Sequence, residues 1–147
     1  MPQRAGARIT SDPAIQSPEE TVRLAYRAFA TRDHERLRAF CHSTLELRPV
    51  DGLGLVGDTL SGFDAACDWV REHSELGYHV TVWLRTLERV AGDSVLGVGV
   101  VAERGRGCAA TVAWVWHVRD GLIDSVCGYP SEAAARRDLS CHCWPHA

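Results

Sequence analysis

The chain predicts an α+β fold in which helices cover one face of a strongly bent antiparallel sheet. Three observations predict it. A capped amphipathic helix stands at the start of the patterned sequence, in SPEETVRLAYRAFATRD at 17–33. Four alternating segments follow one another between 78 and 129, joined by glycine-containing turns. The last of those turns, Asp120-Gly121, is a type I′ hairpin signal.

Each element can be justified in order. Ser17 is a good N-cap, Pro18 suits the first helical position, and Glu19 and Glu20 complement the helix dipole. Val22, Tyr26, Phe29 and Ala30 follow helical spacing, so the first helix runs over 18–31. Asp33 caps a second helix over 34–42, with Leu37, Phe40 and Cys41 as its apolar stripe. Residues 44–50 alternate Leu45 and Leu47 against Glu46 and Arg48, a strand closed by Pro49 and the Asp51-Gly52 turn. The glycine-rich stretch 52–62 reads as a loop or loose hairpin. A third helix over 63–75 turns Phe63, Ala66, Cys67 and Val70 inward, with Trp69 a further candidate, and Gly77 ends it. Strands are expected at 78–90, 94–104, 108–119 and 122–129, and a short helix at 131–139. Residues 1–16 and 140–147 read as loose tails around one domain at 17–139.

Composition narrows the function classes. At 147 residues and 46% hydrophobic content, the chain has enough apolar mass for a core without staples. Net charge is −3, and every basic side chain is arginine. The arginines interleave with acids at Arg32-Asp33, Glu35-Arg36, Arg71-Glu72 and Glu103-Arg104. That pattern describes a mixed solvated surface, and no nucleic-acid partner is expected. No apolar run approaches the roughly 20 residues of a membrane span. The first sixteen residues lack the apolar region of an export signal, so a cytoplasmic setting and reduced cysteines are expected. There is no phosphate loop, dinucleotide fingerprint, Gly-x-Ser-x-Gly elbow or His-Glu-x-x-His motif, so no cofactor is expected.

Four segments together resemble a known superfamily. They are AYRAFATRD ending the first helix, the strand LELRP, the turn and helix GDTLSGFDAACDWV, and the hairpin AWVWHVRDGLIDSVCGY. Their order and spacing are similar to the nuclear transport factor 2-like superfamily, and within it the SnoaL-like polyketide-cyclase and ketosteroid-isomerase group. The resemblance implies a cone: a strongly curved antiparallel sheet with three helices over its concave face and a deep, mostly apolar pocket between. It also implies homodimers through the outer sheet face. Members include cyclases, isomerases, dehydratases and epoxide hydrolases, beside others that only bind ligands. The chain departs from the isomerases where they do chemistry. Their general-base aspartate precedes the proline of the first strand, where Arg48 stands here. Their oxyanion-hole aspartate falls near Trp114, and their helix tyrosine falls one position from Tyr26.

Candidate site residues follow from chemistry and placement. Glu46 and Arg48 share one strand face, as a general base with its orienter or as a structural ion pair. Tyr26 is a pocket-lining hydroxyl by the resemblance, and otherwise a core tyrosine bonded to backbone. Trp69, Trp83, Trp114 and Trp116 are candidate aromatic walls for a flat apolar ligand, with Tyr129 at the end of the last strand. His79 shares parity with Trp83 and is the better placed strand histidine; Asp58 sits near the expected cavity mouth. Cys141, His142, Cys143 and His146 carry soft-metal donors, but Cys-x-Cys is not the common knuckle spacing, and no metal is expected. The function this predicts is acid–base chemistry on an apolar, oxygenated small molecule: cyclisation, isomerisation, dehydration or epoxide opening. Its rival is a non-catalytic ligand-binding or partner-binding dimer of the same fold.

Overall fold

The computed structural model describes residues 16–75 and 80–140. Four helices and six strands follow in chain order: α1 (Pro18–Ala30), α2 (His34–Arg38), β1 (Cys41–Arg48), β2 (Leu60–Ser61), α3 (Phe63–Glu75), β3 (Val80–Ala91), β4 (Ser94–Glu103), β5 (Cys108–Arg119), β6 (Leu122–Tyr129) and α4 (Glu132–Ser140). They make one α+β unit with strands in the order β2-β1-β6-β5-β4-β3.

Local chemistry places the helices. The Ser17 hydroxyl accepts from the Glu20 amide at 3.1 Å, and Pro18 takes the first turn. Arg32 turns the chain at φ 59°, and the Asp33 carboxylate accepts from the Arg36 amide to start α2 at once. The buried stripe of α1 is Val22, Ala25 and Ala28, with Ala30 exposed. It is therefore narrower and turned slightly from the expected one. Helix α2 is shorter than expected. The Phe40 carbonyl accepts from the Ile123 amide at 2.8 Å and Cys41 pairs with Ile123, so the sheet claims residues read as helical.

The sheet is mixed, and this corrects the antiparallel expectation. β1 runs parallel to β6, with Glu46 opposite Ser125 and Arg48 opposite Cys127; the remaining pairings are antiparallel. Asp120 and Gly121 both have positive φ (55° and 79°), as a type I′ turn requires.

The two sheet faces are buried differently. Helices α1, α2 and α3 cover one face, where Val22, Ala25, Phe63 and Ala66 pack on Leu45, Val95, Val118 and Ile123. Helix α4 lies on the other face, where Ala135 packs on Leu96, Ala113, Val115, Cys127 and Tyr129. A third cluster, Val50, Val101, Val112 and Trp114, continues the first face toward the far end of β4 and β5. Trp116 and Val126 pack against both clusters on that face, and a cavity opens between the two. No described helix is long and apolar enough to cross a membrane.

Candidate ligand-binding site

The cavity has a volume of about 180 Å³ and lies between the helices and the sheet. Alternation decides which side chains reach it. β1 contributes Leu45 and Leu47, β3 contributes Val80, Val82 and Leu84, and β5 contributes Trp114 and Trp116. The two indoles lie 6.1 Å apart between ring centroids, tilted by 41°. They form the floor, and α1 and α3 supply the roof through Ala25, Tyr26, Phe29, Phe63 and Ala66.

Tyr26 lines this space, as the resemblance implies, but its hydroxyl is committed. It donates to the Val82 carbonyl at 2.9 Å and accepts from the Leu84 amide at 3.4 Å. The tyrosine therefore ties α1 to the outermost strand. Trp69 also lines the cavity. Together with Pro49 and Asp51 it borders a neighbouring depression formed by Leu55, Val56, Gly57 and Asp58. Asp58 is exposed there and does not line the main cavity.

Four of the expected site residues stand elsewhere. Glu46 and Arg48 are on the other face of β1, with Leu45 and Leu47 looking into the cavity instead. Arg48 stacks its guanidinium 4.8 Å from the Tyr129 ring and donates to the Gly128 carbonyl at 3.3 Å. Tyr129 belongs to the cluster under α4, and its hydroxyl donates to Asp138 at 2.5 Å. That bond and burial together raise the Tyr129 pKa, burial being the larger cause. Trp83 points away from the cavity and is 53% exposed. On β3 the inward set is Val80, Val82 and Leu84, the parity opposite to that of Trp83. His79, Cys141, His142, Cys143 and His146 lie outside the described residues.

One ionisable residue at the cavity was not anticipated. Glu103 ends β4 on the inward parity of Val101, and it is 1% exposed. Its Oε2 accepts from the Gly52 amide at 2.6 Å. Its Oε1 accepts no hydrogen bond and stands 3.6 Å from Arg106 Nε. Gly52 permits this approach, since a Cβ there would meet Cys108 Sγ at 3.1 Å and Glu103 Oε2 at 3.2 Å. Asp51, also at the wall, is occupied by its own loop: Oδ1 accepts from the Leu53 and Leu55 amides, each at 2.9 Å. Sequence reading placed Glu103 with Arg104 on a solvated surface. Its strand parity with Val101 was the signal that contradicts that placement.

At the opposite end the cavity touches His34, Cys41 and Cys67. Burial, with the neighbouring Cys67, pushes the Cys41 thiol up to about 12. Burial also raises Cys67. Both are therefore neutral thiols at physiological pH, part of the apolar wall. Among the described residues no group of His, Cys, Asp and Glu is arranged to hold a metal ion.

No profile of a known protein family matches the chain, and no curated protein is significantly similar to it. Solved structures are. A nuclear transport factor 2-like protein from Burkholderia thailandensis is 24% identical, with a TM-score of 0.66 over 85% of this chain and 98% of its own. TerC, crystallised with polyporic acid, is 25% identical with a TM-score of 0.60, covering 84% of this chain and 98% of TerC. A protein from Sinorhizobium meliloti described as a proposed polyketide cyclase is 18% identical, with a TM-score of 0.61 over 74% and 92%. The architecture shared with these structures, together with the element order described above, is the nuclear transport factor 2-like fold.

Proposed function

We propose that this protein binds a small, flat, largely apolar molecule in the cavity floored by Trp114 and Trp116. The supporting observation is the cavity itself, set between the helices and the sheet and walled almost wholly by carbon. Its volume of about 180 Å³ is just above that of an apolar cavity known to hold benzene, so one ring with short substituents is the right size. Ligand binding is the reading favoured over turnover by Glu46 and Arg48, because those side chains are on the far side of β1.

Acid–base turnover is kept as a second reading because of Glu103, whose buried carboxylate stands at the cavity wall. Some structures of this fold are described as proposed polyketide cyclases, which is in keeping with that reading and says nothing of substrate. Cyclisation, isomerisation, dehydration and epoxide opening each need a proton acceptor at the ligand, and Glu103 is the residue proposed for it.

The binding reading is tested with 4-ethyltoluene, an uncharged probe of the right size, followed by the indole N–H resonances of the protein. Saturable shifts at Trp114 and Trp116 are expected. Ala66→Phe fills the space and should abolish them while the fold is retained. Absence of any saturable shift in the wild-type protein, with this probe and with its hydroxyl analogue 4-ethylphenol, would sink the proposal.

A further inference from the structure

We infer that the ligand of this cavity carries a neutral hydroxyl group, donated to Glu103 Oε1; the inference rests on the cavity being the binding site. The wall offers an acceptor with a vacancy. Glu103 is 1% exposed, Oε2 is satisfied by the Gly52 amide, and Oε1 accepts no hydrogen bond. A buried oxygen left in that condition costs free energy that a ligand donor recovers. Arg106 Nε at 3.6 Å balances the charge and lies beyond hydrogen-bond distance.

The number of donors the cavity can satisfy selects the ligand class. Tyr26 is already bonded to Val82 and Leu84, the Asp51 Oδ1 is held by two amides of its own loop, and the Asp51 Oδ2 is paired with Arg106 at 3.7 Å. The rest of the described wall is mainly aliphatic and aromatic, with Val82, Leu84, Val101 and Val126 around the two tryptophans. A primary ammonium would bring three N–H donors to one open acceptor and leave the others buried without partners. A carboxylate would bring a second negative charge against Glu103. A hydroxyl brings one donor to one acceptor, and the flat ring that carries it lies on the floor made by Trp114 and Trp116. The ligand class is therefore a hydroxylated aromatic of one ring, phenol-like in its polar end.

Affinity for two near-isosteric probes decides this. 4-Ethylphenol and 4-ethyltoluene differ by hydroxyl for methyl, and the hydrophobic effect alone favours the toluene. Wild-type protein should bind 4-ethylphenol at least tenfold tighter, by calorimetry or by the indole resonances, since a site built to accept a hydroxyl discriminates by that much or more. Glu103→Gln, which keeps shape and an acceptor for Gly52, should reduce the preference several-fold, read as the ratio of the two affinities. Equal affinities in the wild-type protein would overturn the inference and leave the cavity reading standing. Failure of both probes to bind would overturn both. The wild-type comparison holds even if the substituted protein does not fold.

Discussion

At Cys41 and Cys127 burial governs the thiol. Cys127, under α4, is pushed up to about 11, with burial the main cause; Arg48 opposes the shift and Asp138 and Glu46 add to it. Cys41, at the cavity wall, is pushed to about 12. In the unfolded chain both thiols titrate near about 8.5. Folding therefore favours the protonated form. The stabilisation is fully present below about pH 8.5 and is lost as pH rises toward 11 and 12. Urea midpoints should be level between pH 7 and 8 and fall between pH 8.5 and 9.5. The Cys41→Ala, Cys127→Ala double variant should show a shallower fall, and an unchanged slope would disprove the assignment. At this scale the sequence was legible for Tyr26, Trp69, Trp114 and Trp116, which do line the cavity. Glu46, Arg48, Trp83 and Tyr129 do not line it, because alternation pairs residues on a face without stating which face turns inward. On β1 the leucines are the apolar set, so the charged residues belong to the other face. Glu103 stands directly before Arg104, and such an acid–base pair is the local pattern of a solvated surface.

Among the elements, β4 shows how a strand makes room for the site. Gly97 faces inward beneath Trp116, and a Cβ there would sit 2.5 Å from Trp116 Cζ3 and 2.9 Å from Leu84 Cδ1. The indole lies across the strand because no side chain stands in its way. Gly97→Ala forces the ring up into the cavity. We expect a stability loss of about 1–3 kcal/mol by urea denaturation. We also expect weaker binding of 4-ethyltoluene, with the largest resonance change at the Trp116 indole. A neutral outcome in both measurements would show that the ring can move without cost and that the cavity has another floor. Most element boundaries were legible: α3, β5 and β6 fall on the expected residues, because caps, alternation and the Asp120-Gly121 turn are local signals. The start of β1 and its parallel pairing with β6 were not. The pairing joins residues some 80 positions apart, and no local pattern states which edge of the hairpin a distant strand will take.

The whole molecule leaves one part of its sheet uncovered among the described residues. Helix α4 lies over Leu96, Ala113, Val115, Cys127 and Tyr129, and Arg136 reaches Glu88 at 2.9 Å. Beyond it, the same face carries Trp83, Val100 and Thr111 in one cross-strand row and Thr81, Ala102 and Ala109 in the next. All six are uncharged, and Trp83 is 53% exposed at their edge. An uncharged patch with an exposed tryptophan, beside a polar helix, is suited to an isologous contact, in which each copy presents the same rows to the other. A second copy of this chain is the occupant we propose for it, in line with the homodimers that the resemblance implies. Trp83 is the large aromatic side chain of the patch, and aromatic anchors carry much of the binding energy of such contacts. Trp83→Arg should then raise the dimer dissociation constant by roughly 30-fold or more, equivalent to about 2 kcal/mol. The cavity lies on the other face, so affinity for 4-ethyltoluene should be unchanged. Light scattering after size exclusion reads the first effect and the indole resonances read the second. A wild-type protein that stays monomeric at high micromolar concentration would refute the dimer while leaving the ligand site intact.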